Sequence, residues 1–191
     1  MRGAKQIFRA HADWTRASII AADLKVPGGA LHTLDLDKAV KRIRKRLERA
    51  APCLRDAVVF GGVDLSFNVE NNGAGYWQAH LYLLIAGKRS TALKKAVREA
   101  FPPEPSAPRP YRFRTVDNAP AAVTYTFKSV FNRRSRYFVE GEPRTRKLAL
   151  KPRELRELMV YLDKFSIGAR LLLRGVRRNG NQLQNIVKDK T

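Results

Sequence analysis

The chain has 191 residues, and its 38 Lys plus Arg against 17 Asp plus Glu give a formal net charge of +21. A single cysteine, Cys53, excludes an internal disulfide framework and a cysteine-rich zinc site, and no apolar run approaches the roughly 20 residues that a membrane span needs. When the cations of a protein neutralise phosphates, counterions are released, so the positive charge predicts nucleic acid as the partner. The lack of a long apolar run predicts that a membrane is not a partner. A merely soluble basic surface, or attraction to anionic lipid, is the alternative reading of the charge. Without a visible secretory signal, the expected location is cytoplasmic.

The first predicted elements are a strand and a helix. Residues 17–24 predict a strand, and residues 27–29 (Pro-Gly-Gly) predict the turn that closes it. A helix follows from Asp35 or Asp37 as its N-cap, because apolar residues recur at helical spacing until Pro52. The outer face of this helix is basic and is either a solvated surface or a phosphate-binding surface. Its candidate phosphate contacts are Arg42, Arg44, Lys45 and Arg46.

Residues 58–86 predict a β-hairpin around a Gly-rich turn at 71–75. In both arms apolar residues occupy the odd positions, which predicts one face against a core and one open, polar face. Pairing of Ser66 with His80 would gather the polar groups on the open face, and a register slip of two residues would preserve the faces. The candidate nucleic-acid contacts on this face are Tyr76, Gln78 and Tyr82.

The middle of the chain predicts further alternation of helix and strand. Residues 90–101 predict a second helix that Ser90-Thr91 caps, and the prolines of 102–110 predict a stiff connector. Residues 111–117 predict a fourth strand, and residues 118–130 predict a third helix. A basic segment with interleaved aromatic residues follows.

The last third of the chain predicts helices and a basic tail. Residues 152–165 form a helix with one leucine-rich stripe, and Ser166 caps a short helix that carries Leu171–Leu173. From Arg174 onward we expect a tail that is disordered alone or laid along nucleic acid. The candidate nucleic-acid contacts of the basic segment and the tail are Arg133, Arg134, Arg136, Arg174, Arg177 and Arg178.

The order of predicted elements is strand, helix, strand, strand, helix, strand. This order predicts an α+β fold of the ferredoxin-like, split βαβ type, an antiparallel sheet with helices on one face, followed by C-terminal helices and a basic tail. We expect a nucleic-acid-binding domain over residues 1–135 and a helical, basic C-terminal extension over residues 136–191 packed on it. Neither a nucleotide-binding Gly-rich loop nor a hydrolase triad pattern indicates a competing enzyme class.

The segment Tyr-Trp-Gln-Ala-His-Leu-Tyr-Leu-Leu-Ile at residues 76–85 resembles the metal-binding strand of HUH-type rolling-circle replication initiators. In that family two histidines flank one apolar residue on a central strand and bind a divalent metal. Here His80 occupies the first ligand position and Tyr82 stands in the second. The resemblance implies a third ligand at Asn68, or at Ser66 or Glu70 if the alignment shifts.

A second motif of that family lies on the helix after the fourth strand. It reads Tyr-x-x-Lys, and its tyrosine attacks a DNA phosphate and stays linked to the 5′ end. The segment Tyr125-Thr-Phe-Lys128 resembles it, which implies Tyr125 and Lys128 as catalytic residues. The resemblance covers residues 15–135 and makes the first predicted domain HUH-like.

Three functional hypotheses follow. In the favoured one, the chain is a regulator or accessory factor that binds single-stranded, hairpin or duplex DNA and is non-catalytic or weakly catalytic. Its metal site has decayed in this hypothesis, because two of the three ligand positions depart from the family. In the second, Tyr125 nicks and joins single-stranded DNA, and His80 with a carboxylate, Asp64 or Glu70, holds Mg or Mn. In the third, Tyr76, Tyr82 and Phe60 stack RNA bases on an open sheet, as in RNA-recognition motifs.

Overall fold

The structure is a computed structural model that describes residues 4–50, 52–54, 57–70, 72–105, 107–116, 121–123, 131–180 and 182–186. Its α-helices are α1 (Ala4–Arg9), α2 (Leu36–Ala50), α3 (Thr91–Ala100) and α4 (Pro152–Asp163), and residues 121–123 are also helical. Its strands are β1 (Trp14–Pro27), β2 (Val59–Val69), β3 (Gly75–Ala86), β4 (Tyr111–Thr115), β5 (Asn132–Val139), β6 (Glu142–Leu148), β7 (Leu171–Arg174), β8 (Val176–Asn179) and β9 (Gln182–Asn185). Short 3-10 helices lie at Leu31–Thr33, Pro52–Leu54 and Ile167–Arg170. In this part of the chain, no helix combines the length and the apolar character needed to cross a membrane.

The fold is α+β and is built on one mixed sheet. Its strands lie in the order β4-β1-β3-β2-β5-β6, and β7 also pairs with β2. The pairs β1–β3, β1–β4 and β2–β3 are antiparallel. The outer edge of β2 is shared, because β5 runs parallel to residues 66–69 and β7 runs antiparallel to residues 59–62.

Helices α2 and α3 cover one face of the sheet, as the sequence predicts. The Asp35 side chain accepts a hydrogen bond from the Lys38 amide at 2.9 Å, and Ser90 Oγ accepts one from the Leu93 amide at 3.1 Å. Both N-caps satisfy backbone donors that the first helical turn leaves unpaired. The apolar stripes of the two helices pack against the odd-numbered residues of β1, β2 and β3 to form the main core.

The register of the β2–β3 hairpin differs by two residues from the predicted pairing of Ser66 with His80. Ser66 lies opposite Gln78, and Asp64 lies opposite His80. Because side chains alternate with a period of two, this shift keeps every residue on its predicted face. The apolar odd positions therefore still face the helices.

The prediction of an open second face is wrong. A second apolar cluster covers one half of that face, with α1 and the β8–β9 hairpin lying over the sheet, and consists of Ile7, Trp14, Val58, Phe60, Leu84, Ala122, Val176 and Leu183. Phe60 and Leu84 occupy even positions, so the alternation of polar and apolar residues fails at this end of the hairpin. Two large apolar side chains on the second face need a cover, and the first helix and the last hairpin provide it.

A short helix follows Ser166 as predicted, but it is a 3-10 helix that ends at Arg170. The prediction that it carries Leu171–Leu173 is wrong, and so is the predicted tail. Leu171–Leu173 lie in β7 and pair with β2, and the residues beyond Arg174 form the β8–β9 hairpin. A run of three leucines is too short for hydrophobic periodicity to distinguish a strand from a helix. Pairing with the otherwise exposed edge of β2 favours the strand. The predicted domain boundary at residue 135 falls inside β5.

Helix α4 spans the predicted range and packs on the loop after β1. The Tyr161 hydroxyl donates to the Leu34 carbonyl at 2.7 Å, and burial raises the pKa of this phenol. Glu157 accepts backbone hydrogen bonds from the same loop at 2.8 and 3.0 Å. The predicted stripe is only partly buried, because Leu155 and Met159 are each 45% exposed.

The cover over the second face can be tested with one buried and one exposed apolar residue of the last hairpin region. Replacement of Leu183 by Ala should lower the free energy of unfolding by about 2–3 kcal/mol, because it leaves a cavity against the second cluster. Replacement of Ile186 by Ala should change it by less than about 0.5 kcal/mol, since Ile186 is exposed. Urea unfolding of both variants measures the difference. Equal effects would contradict the docking of β8–β9.

The salt bridge between Asp23 and Arg46 predicts a pH-dependent contribution to stability. Arg46 donates to both carboxylate oxygens, at 3.1 and 2.5 Å, and this hydrogen bonding lowers the pKa of Asp23. The contribution is therefore present above the unfolded pKa of about 3.9 and is lost as the pH falls through the lower, folded pKa. Asp23→Asn should cost less than about 1 kcal/mol at neutral pH, because the pair is about one-third exposed.

The measurement is chemical unfolding of the Asp23→Asn variant and the unmodified chain across a series of falling pH values. The difference between the two should vanish in acid. A difference that stays constant in acid would show that the carboxylate charge is not what stabilises this contact.

Candidate nucleic-acid interface

The other half of the second face is polar and contains a cleft of about 120 Å³. Strands β2 and β3 supply its floor from their even positions, and the β5–β6 hairpin supplies one wall. The polar side chains that line it are Asn68, Glu70, Tyr76, Gln78, His80, Arg134 and Thr145. The cleft is thus the place where the predicted polar face and the predicted basic segment meet.

Three side chains of the floor form a hydrogen-bonded group. His80 Nε2 lies 2.7 Å from Ser66 Oγ, and Asn68 Nδ2 donates to the same oxygen at 3.1 Å. His80 is 4% exposed and Ser66 is 3% exposed. Buried polar groups need partners of this kind, so these contacts fix the floor of the cleft.

The Gln78 side chain stabilises a β-bulge in β1, where the pairing of β1 with β3 is interrupted. The register shifts between Ala21 and Lys25, and Gln78 Nε2 donates to the Ala21 carbonyl at 2.5 Å and to the Leu24 carbonyl at 3.3 Å. The side chain therefore satisfies backbone groups that the bulge leaves without a ladder partner. Its amide nitrogen, predicted as a nucleic-acid contact, is engaged within the fold.

The side chains predicted as metal ligands do not assemble into a site. Glu70 forms a salt bridge with Lys25 at 2.9 Å, Asn68 donates to Ser66, and Asp64 lies opposite His80 in the register. Among the residues that the structure describes, no group of three or more His, Cys, Asp or Glu side chains could hold a metal ion. The described donors therefore do not converge on one divalent cation, since Glu70 is held by Lys25 and Asn68 by Ser66.

The two predicted catalytic residues, Tyr125 and Lys128, lie outside the described residues. The helix predicted over residues 118–130 is described at residues 121–123, which are helical. The placement of Tyr125 relative to His80 therefore stays a prediction.

The β5–β6 hairpin, residues 132–148, projects from the sheet and is called the basic arm below. Its first strand pairs with β2 only at residues 132–135, and residues 136–145 pair only with each other. Glu140 and Gly141 form the turn with φ angles of 53° and 80°, the two positive values that a type I′ hairpin requires. The arm is thus a two-stranded ribbon, and the described side chains at its outer end, such as those of Tyr137 and Arg144, are exposed.

Exposed cations line the second strand of the basic arm. Arg144 lies opposite Tyr137, Arg146 lies opposite Ser135, and Lys147 lies opposite Arg134. Tyr137 is 45% exposed, and Arg144, Arg146 and Lys147 are all exposed. The sequence analysis missed these three cations, although Glu-Gly between two alternating basic segments is a signal for a tight hairpin.

Several of the predicted nucleic-acid contacts instead hold the fold together. Arg133 forms a salt bridge with Glu154 and lies 5.7 Å from the Phe67 ring centroid. Arg174 donates to the Leu54 carbonyl at 2.6 Å and to Glu48 at 3.0 Å. Arg46 pairs with Asp23, as described above.

The remaining predicted cations are distributed over three places. Arg42, Arg44 and Lys45 are exposed on α2, and Arg177 and Arg178 are exposed on β8. Arg134 lies at the base of the arm and lines the cleft. Arg136 belongs to the backbone of β5, but its side chain is not among those described.

The predicted aromatic contacts differ in accessibility. Tyr82 is 4% exposed and Phe60 is fully buried, so neither ring is available to stack on a base. Tyr76 is only partly buried and lines the cleft, with Lys25 Nζ 3.8 Å from its ring centroid. Of these three rings, Tyr76 alone reaches the surface.

Comparisons with known proteins assign no family to this chain. No family model, no curated protein and no solved structure matches it. The cleft and the basic arm therefore carry the functional interpretation.

The division between structural and exposed cations predicts different effects on stability. Arg133→Ala should lower the free energy of unfolding by about 3 kcal/mol, because it leaves the buried Glu154 without its cation. Arg146→Ala, on the exposed side of the arm, should change it by less than about 0.5 kcal/mol. Urea unfolding of both variants provides the measurement, and a similar loss in both would refute the division.

Proposed function

We propose that this chain is a DNA-binding protein that holds DNA with its basic arm and does not cut it. The observation that carries the proposal is the projecting ribbon with exposed Arg144, Arg146 and Lys147 beside the half-exposed Tyr137. Arginine and lysine side chains contact phosphates, and an exposed ring can stack on a base. The net charge of +21 adds a long-range attraction for any polyanion.

The order β4-β1-β3-β2, with antiparallel neighbours, supports the split βαβ plan and with it the resemblance to rolling-circle initiators. The same resemblance raises the alternative of an active nickase that uses Tyr125. A tyrosine with a pKa near 10 needs activation at neutral pH, which a metal at the scissile phosphate supplies in that family. The donor set around His80 does not fit such a metal, which favours a regulator or accessory factor.

The alternative of an RNA-binding sheet has less support. That mode needs two or three aromatic rings exposed on the open face of the sheet. Here Phe60 is buried in the second apolar cluster, and Tyr82 is only 4% exposed. Competition between DNA and RNA of matched sequence separates the two hypotheses, and tighter RNA binding would overturn the preference for DNA.

If the basic arm binds DNA, the affinity should fall steeply as the salt concentration rises, and the cations of the arm should account for most of this dependence. Substitution of Arg144, Arg146 and Lys147 by Ala should weaken binding, and the slope of log K against log salt should fall by about 2 to 3 if each cation contacts one phosphate. The matched control removes the three exposed α2 cations Arg42, Arg44 and Lys45, which lowers the net charge by the same amount. Fluorescence anisotropy with labelled DNA at several salt concentrations measures both. Equal losses would move the site away from the arm.

The absence of cutting is tested with single-stranded oligonucleotides in the presence of Mn²⁺ or Mg²⁺. We expect no covalent protein–DNA adduct on a denaturing gel. An adduct that disappears in the Tyr125→Phe variant would establish the nickase alternative instead.

A further inference from the structure

The cleft at the base of the basic arm is lined by Arg134, whose guanidinium has one buried nitrogen without a hydrogen-bond partner in the described part of the chain. Arg134 Nε is buried, and no residue in the described part of the chain accepts a hydrogen bond from it. A buried donor of this kind costs free energy unless a ligand or water satisfies it, and a guanidinium binds phosphate oxygens well. Arg134 also lies opposite Lys147 in the ribbon register, so one of the exposed cations of the arm lies on the cleft side of the ribbon.

The floor of the cleft offers hydrogen-bond acceptors. The amide nitrogens of Asn68 and Gln78 are engaged with Ser66 and with the backbone of β1, which leaves the amide oxygens of both side chains as acceptors. Both residues line the cleft together with the partly buried ring of Tyr76. The cleft therefore combines an anion-binding group, acceptors for amino or imino hydrogens, and an aromatic surface. The carboxylate of Glu70 also lines the cleft, and Lys25 neutralises its charge in a salt bridge of 2.9 Å.

The size of the cleft limits what it can hold. Its volume of about 120 Å³ makes it a small site, for which a single nucleotide is a better match than a base pair with its two strands. A nucleobase with its adjoining phosphate has the hydrogen-bond donors, the flat face and the anion that these walls would recognise.

From these observations we infer that the cleft binds one unpaired nucleotide of the DNA that the basic arm holds, with its phosphate on Arg134 and its base against Tyr76. This inference rests on the proposed function and adds a preferred substrate to it, DNA with an unpaired nucleotide. The arm supplies affinity for any strand, and the cleft supplies the preference for unpaired over paired DNA.

The experiment compares two DNA probes of equal length, one fully paired and one with a single unpaired nucleotide in the middle of one strand. The unmodified chain should bind the second probe about tenfold more tightly, since one stacked base is worth roughly 1–3 kcal/mol. The Thr145→Phe variant keeps the charge of the chain and fills the cleft from its exposed wall strand, so the ratio of the two affinities should fall to about one.

The control variant, Thr115→Phe, adds the same ring on exposed β4 at the far edge of the sheet and should keep the tenfold ratio. Arg134→Gln should reduce the ratio as well, and thermal unfolding checks that all three variants fold. A fluorescent 2-aminopurine at the unpaired position should be quenched by the unmodified chain and not by Thr145→Phe.

The outcomes separate the two proposals. Equal affinity of the unmodified chain for both probes, or a preference that survives Thr145→Phe, overturns the cleft inference while DNA binding by the arm stands. Absence of salt-dependent binding to either probe overturns the proposed function itself.

Discussion

The backbone hydrogen bonding of β2 is the constraint on which the rest of the structure depends. This strand is buried along most of its length, so its amides and carbonyls need partners on both edges. β3 satisfies one edge, while β5 and β7, which are more than thirty residues apart in sequence, divide the other. Because β5 takes only residues 66–69, its remaining length leaves the sheet together with β6 and becomes the basic arm.

The second face of the sheet has an apolar half next to β7 and a polar half next to β5, so the division of the β2 edge between these two strands also divides the face. Next to β7 the even positions carry Phe60 and Leu84, and the terminal elements cover them. Next to β5 the even positions carry Asn68, Gln78 and His80, which line the cleft beside the arm, although Gln78 and His80 are themselves buried. One half of the face thus stabilises the fold through apolar burial, and the other half keeps hydrogen-bonded polar groups beside a cleft.

Neighbouring cations of a single strand lie in two different surroundings. In β5, Arg133 points toward the main core side and pairs with Glu154, whereas its neighbour Arg134 points into the cleft. Period-two alternation sends adjacent arginines to opposite faces, so one stabilises the packing of α4 and the other can meet a ligand. Net charge by itself therefore says little about which arginines bind nucleic acid.

The sequence by itself determined the local features: the two helix N-caps, the α2 and α3 stripes, the β2–β3 hairpin and the face of each of its residues. These depend on periodicity and on neighbours a few residues away. Only the tertiary structure decided that Leu171–Leu173 complete the β2 edge, that Tyr82 is buried, and that Glu70 pairs with Lys25. Those outcomes depend on which distant segments meet, and a charged or apolar side chain looks the same in sequence whether or not a remote segment covers it.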